Sequence, residues 1–107
     1  MENPKESEEI EMDELDVEDY AGRNQARKPK TKTYIIRVDK TQFRVDQPDM
    51  TGRAILSLAS KLPPEEYRSK QKLHGGEMKT VGLDESVDFR APGVERFVTL
   101  KLENTEG

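Results

Sequence analysis

The stretch TGRAILSLASKL, Thr51–Leu62, followed at once by Pro63-Pro64, decides how the rest of the chain is read. Thr51 is a good helix N-cap, Met50 before it can staple onto Ile55, and the two prolines remove the donors needed to continue. Ile55, Leu58, Ala59 and Leu62 fall at i, i+3, i+4 and i+7, while Arg53, Ser57 and Lys61 point elsewhere. The spacing predicts a short amphipathic helix over 51–62 whose stripe belongs to a core. Everything after Lys32 then reads as a sheet wrapped around that helix.

Working outward, Asp46-Gln47-Pro48-Asp49 is a polar connection into the helix. Before it, Tyr34, Ile36 and Val38 alternate with Ile35, Arg37 and Asp39, and Phe43 and Val45 with Arg44 and Asp46, the pattern of a hairpin. Beyond the prolines, Tyr67–Leu73 is expected as a modest edge strand, His74-Gly75-Gly76-Glu77 as a turn needing positive φ, and Met78–Val81 as a return strand. Gly82-Leu83-Asp84-Glu85 with Val87 and Phe89 reads as an irregular, partly buried connection. In the last strand, Val94–Leu102, Val98, Leu100 and Leu102 face one way and Phe97, Thr99 and Lys101 the other. His74 has no second histidine or cysteine beside it in sequence and is expected as a solvent-facing turn residue, with no metal site.

Charge divides the chain. Of 107 residues, 37% are charged and 32% hydrophobic, so part of the sequence is expected to lie outside the core. Residues 1–33 carry ten acidic and six basic side chains, whereas 34–107 carry twelve of each, so the net −4 belongs to the front. Residues 5–19 hold nine carboxylates, with Ile10, Met12, Leu15 and Val17 threaded among them. Self-repulsion argues for a disordered tail, or for a segment that docks on a basic partner through those four apolar residues, as a strand or a short helix. The basic run Arg23–Lys32 reads as a flexible linker, and its lack of interleaved aromatics argues against nucleic acid. The boundaries expected are 1–32 for the tail, 33–103 for a folded domain and 104–107 for a free end. With no cysteine there is no disulfide and no thiolate nucleophile or metal ligand. No apolar run is long enough for a membrane span or signal peptide, which suits a soluble, cytoplasmic protein.

Several stretches together carry a resemblance: Tyr34–Asp39, Thr51-Gly52-Arg53, Pro63-Pro64-Glu65-Glu66-Tyr67, Gln71-Lys72-Leu73, Gly75-Gly76-Glu77, Gly82-Leu83-Asp84-Glu85, Pro92-Gly93-Val94-Glu95-Arg96-Phe97 and Thr105-Glu106-Gly107. Over about seventy residues they resemble the bacterial multiubiquitin domain family, and the order of elements resembles the ubiquitin β-grasp. The resemblance implies an α+β fold, a mixed four- to five-stranded sheet around one helix, and the role of a protein modifier. It also implies ubiquitin-like activating and conjugating enzymes, a deconjugating peptidase and target proteins as partners, in some operons linked to antiphage defence. The C-terminal carboxylate would be adenylated with ATP, used by the activating enzyme and not held by this chain, then passed to a thioester and to a target.

Attachment would fall on Thr105, Glu106 and Gly107. A narrow enzyme channel needs an extended end and a last residue without a side chain, which Gly107 meets; Glu106 departs from the usual paired glycines. The ubiquitin patch is read through its third and last strands, where this chain is expected to present Lys70 and Lys101, with Ile35 and Phe97 as apolar candidates and Glu103 beyond them. Two rival functions share the fold, a non-conjugated interaction module and a sulfur carrier. Catalysis is the least supported class, because one histidine and scattered carboxylates form no acid–base or nucleophile constellation.

Overall fold

A computed structural model describes residues 12–24 and 26–103; Met12 is described by its backbone alone. The elements are β1 (Met12–Asp16), α1 (Val17–Arg23), β2 (Thr31–Val38), β3 (Thr41–Val45), β4 (Asp49–Thr51), α2 (Gly52–Leu58), a 3-10 turn (Pro64–Glu66), β5 (Tyr67–Leu73), β6 (Met78–Val81), β7 (Ser86–Asp88) and β8 (Val94–Lys101). The main sheet runs β1-β2-β8-β5-β6, with β3 paired to β2, and β4 pairs with β7 in a small second sheet. Six strands form that main sheet, against the four or five expected.

Thr51 caps α2, its Oγ1 accepting from Ala54 N at 3.1 Å. The helix stops at Leu58, earlier than the apolar spacing suggested, because Ser60 turns left-handed at φ 62°. Leu62 is thereby released to solvent, and Leu56 joins Ile55 in the core. Gly52 sits so close to Gly82 that an added Cβ would collide with the Gly82 carbonyl oxygen. Gly52 N donates to Glu85 O at 3.1 Å and Arg53 N to Leu83 O at 2.9 Å. The Arg53 guanidinium reaches Glu65 at 2.6 Å and Asp84 at 3.5 Å. The short motifs around residues 52, 65 and 84 are therefore one joint.

A second joint gathers the motifs around residues 72, 76 and 95. His74 N donates to Gly93 O at 2.7 Å, and Leu73 N to Glu77 O at 2.8 Å across Gly75 and Gly76, which take φ 101° and 100°. A bulge between Lys72 and Leu73 leaves Glu95 without a cross-strand partner. Its carboxylate is instead held by Lys72 Nζ at 2.7 Å and His74 Nδ1 at 3.0 Å. Burial alone would raise the Glu95 pKa, but these two hydrogen bonds outweigh it and hold the acid below its ordinary range. His74 is thus an exposed turn residue, as expected, and its ring is also paired with Glu95.

The largest departure is at the front. Residues 12–24 and 26–30 are folded onto the domain, where a disordered tail and linker were expected. β3 covers Tyr34–Val38 on one edge of β2, and β1 pairs in parallel with Thr31–Ile35. The two overlap at Tyr34 and Ile35, so β1 lies on the opposite edge, the one that faces β8, which pairs there at Val38. Carboxylates that count against folding in isolation find cations on the sheet: Asp16 grips Arg37 with two hydrogen bonds of 2.6 and 2.9 Å, Glu18 approaches Arg37 at 3.5 Å, and Glu14 meets Arg44 at 2.6 Å. Lys28, expected in a flexible linker, is buried, with Nζ donating to Ala91 O at 2.9 Å. Burial pulls its ammonium down to about 8 despite the nearby Asp88 and Glu95 carboxylates.

The core lies between the sheet and α2. Phe89 stands at its centre, 6.3 Å from the Tyr34 ring and 5.9 Å from Phe97, with Ile36, Val38 and Ile55 fully buried around them. Tyr67–Leu73 is an interior strand, flanked by β8 and β6, and not the edge expected.

Candidate functional site

Two surfaces matter: the place where β8 delivers the chain end, and the outer face of the sheet. At the first, Leu102 N donates to Glu66 O at 2.8 Å, which keeps the last described residues beside the 3-10 turn. Lys101 lies 5.4 Å from the Tyr67 ring centroid and 3.6 Å from Glu66. Glu103 is exposed, and a shallow groove here is lined by Glu65, Glu66, Lys101, Leu102 and Glu103. Thr105, Glu106 and Gly107, expected as the attachment residues, lie outside the described residues.

On the outer face, register fixes what each strand presents. Lys70 stands opposite Val98 and Arg68 opposite Leu100 across β5 and β8, and Lys72 stands opposite Arg96 on one side and Met78 on the other. The face therefore interleaves Arg68, Lys70, Lys72 and Arg96 with Met78, Val98 and Leu100. This corrects the sequence reading of β8. Phe97 is fully buried against Phe89 and is closed to any partner, while Val98 and Leu100 take the outward positions. The alternation of β8 was legible, but apolar residues stood on both sides of it. The signal that orients it is the lysine alternation of β5, since lysines face water and the antiparallel register places Val98 and Leu100 beside them.

Ile35 is half-buried, in a depression shared with Gln42, Phe43 and Arg44, and pairs with Asp16 and Arg44 on its two sides. Leu15 and Val17, expected as anchors on a partner, are buried in the core of their own domain. Leu15 shares the inward face of Tyr34, its neighbour in register. Met12 contributes backbone to β1, and Ile10 lies outside the described residues. Leu15 and Val17 are therefore not open to a partner.

Chemically, these surfaces present cations and apolar side chains to a partner. Among the described residues no group of three or more His, Asp or Glu side chains is placed to hold a metal ion. No described helix is long and apolar enough to cross a membrane. A family model described as Multiubiquitin matches residues 34–101. Comparisons with curated proteins and with solved structures give no match.

Proposed function

Because this chain belongs to the multiubiquitin family, with 34–101 forming its ubiquitin-like domain, we propose that it is a protein modifier joined to its targets through Gly107. The observation that supports this reading is the exit of β8. The strand ends at an exposed rim, and Lys101–Glu103 leave the domain beside Glu66 with the last residues still to follow. In this reading the Gly107 carboxylate attacks the α-phosphate of ATP on an activating enzyme, with pyrophosphate leaving. A cysteine thiolate of that enzyme displaces AMP to form a thioester, a conjugating enzyme carries the acyl group, and a target nucleophile displaces the thiol. Gly107 fits a narrow channel because it has no side chain to clear. Glu106 requires that the cognate channel meet its carboxylate with a cation, so that a charge is not buried unpaired.

The domain supplies a handle and no catalysis. An activating enzyme, a conjugating enzyme and a deconjugating peptidase are the partners of this reading, in the cytoplasm and in an operon serving defence against phage. A second reading, a non-conjugated interaction module, is favoured by the outer face, where Met78 and Leu100 stay exposed beside the four cations. A sulfur carrier would share the adenylation step. The deciding experiment incubates the full chain with ATP and its candidate enzymes and reads covalent products by mass spectrometry, with a chain lacking Gly107 as control. Adducts through Gly107 that vanish in the control support the modifier. A thiocarboxylate terminus moves the reading to a sulfur carrier, and an untouched carboxylate beside active enzymes leaves the interaction module.

A further inference from the structure

The outer face of β5 and β8 carries positive charge that its own neighbours do not neutralise. Lys72 is engaged by Glu95, but among the described residues no side-chain hydrogen bond or ion pair engages Arg68 or Lys70. The Arg96 Nε is buried without a hydrogen-bond partner among the described residues. Met78 and Leu100 remain 42% and 48% exposed beside these cations. A fitting ligand is an extended acidic strand with an apolar residue in it.

The chain contains such a segment. Glu6, Glu8, Glu9 and Glu11 surround Ile10, in the part that carries the net negative charge. We infer that the Glu6–Glu11 segment of a second copy docks on this face. The second copy follows from reach. Met12 is level with Thr31, and Val38 with Phe97. Along the strands, seven residues separate Thr31 from Val38 and one more leads to Val98, about 26 Å at roughly 3.3 Å per residue. Glu6 lies six residues before Met12 and extends at most about 20 Å from it, and Glu11 only about 3 Å. The acidic block therefore falls short of the Lys70–Val98 row on its own domain.

In trans the contact joins two different surfaces, so each copy offers one segment and one face and association can continue from copy to copy. Carboxylates approach uncompensated cations, and Ile10 covers apolar area left bare between them. The contact is non-covalent and uses neither Gly107 nor ATP, so it stands or falls apart from the conjugation reading.

Sedimentation velocity of the full chain at low salt tests it. The expected result is a sedimentation coefficient that rises with concentration, with association weakened about tenfold or more as salt is raised to several times the starting level. Reversing the segment (Glu6, Glu8, Glu9 and Glu11→Lys) or the face (Arg68→Glu with Lys70→Glu) should each leave a monomer. An equimolar mixture of the two variants should associate again, because the intact segment of one meets the intact face of the other and the reversed, cationic segment meets the reversed, anionic face; a misfolded variant could not do this. A wild-type chain that stays monomeric throughout overturns the proposal. So does association that survives either reversal, and so do monomers whose Arg68–Lys72 amide shifts move on reversing the segment, which would place it in cis.

Discussion

α1 and α2 are the same length and begin the same way, yet they are held by opposite means. Each spans seven residues and is capped by a side-chain oxygen, Asp16 accepting from Asp19 N and Thr51 from Ala54 N. α2 buries Gly52, Ile55 and Leu56, and its first turn is pressed against the Gly82 backbone. α1 buries Val17 and Ala21 and rests Tyr20 on the core, and the rest of its attachment is charge, with Asp16 and Glu18 on Arg37. α2 should open only with the whole domain, because its contacts are the core. α1 should open alone, at a lower free energy that depends on pH and salt.

The most severe way to probe this contrast is Leu56→Ala. Truncating a fully buried leucine should cost about 2–5 kcal/mol of global stability, read by chemical denaturation. Gly52→Ala should follow at about 1–3 kcal/mol, since the new methyl group meets backbone that cannot step aside. Arg37→Met should cost about 1 kcal/mol and act locally: amide exchange of Val17–Arg23 quickens while the β5–β8 ladder keeps its protection. Equal loss of protection in both regions would show that α1 is not a separate unit.

The smallest effect is acid. Burial raises the Asp16 pKa, but Arg37 and the Asp19 amide overcome it, and the folded value lies below the ordinary 3.8. Stability from this pair is therefore complete above pH 3.8 and lost as pH falls through the depressed folded value. Exchange at α1 should quicken in that window in the wild type. In Asp16→Asn it should already be fast at neutral pH and change less on acidification.

The contrast also explains what the sequence could reveal. α2 was legible because its signals are local: a cap, an i, i+3, i+4 stripe and a glycine beside the cap. The β2–β3 hairpin, the Gly75-Gly76 turn and β8 as a strand were legible for the same reason. Most of the described motifs that carried the family resemblance lie at the two joints, where backbones touch at Gly52 and Gly82 or a bulge exposes Glu95 to Lys72 and His74, so the residue types there are restricted by packing. β1 and α1 were not legible, because Glu14, Asp16 and Glu18, which look repulsive in the linear chain, find their cations at Arg44 and Arg37, far along the chain. The inward face of β8 was hidden too, since Phe97 and Val98 are both apolar and what selects between them lies elsewhere in the chain, in Phe89 and in the lysine alternation of β5.

β8 occupies the middle of the sheet, between β2 and β5, although it is the last of the described strands in chain order. While translation is in progress the two halves of the sheet have no strand to join them, and β5 lacks its longest partner. Folding can close only after the C-terminal strand has cleared the exit tunnel. A message truncated before codon 94 yields a chain with open strand edges, exposed to proteolysis, and not a compact domain with a shortened end. The order of synthesis thus ties a finished fold to the presence of the C-terminal strand, so that quality control can reject incomplete copies without inspecting the terminus itself.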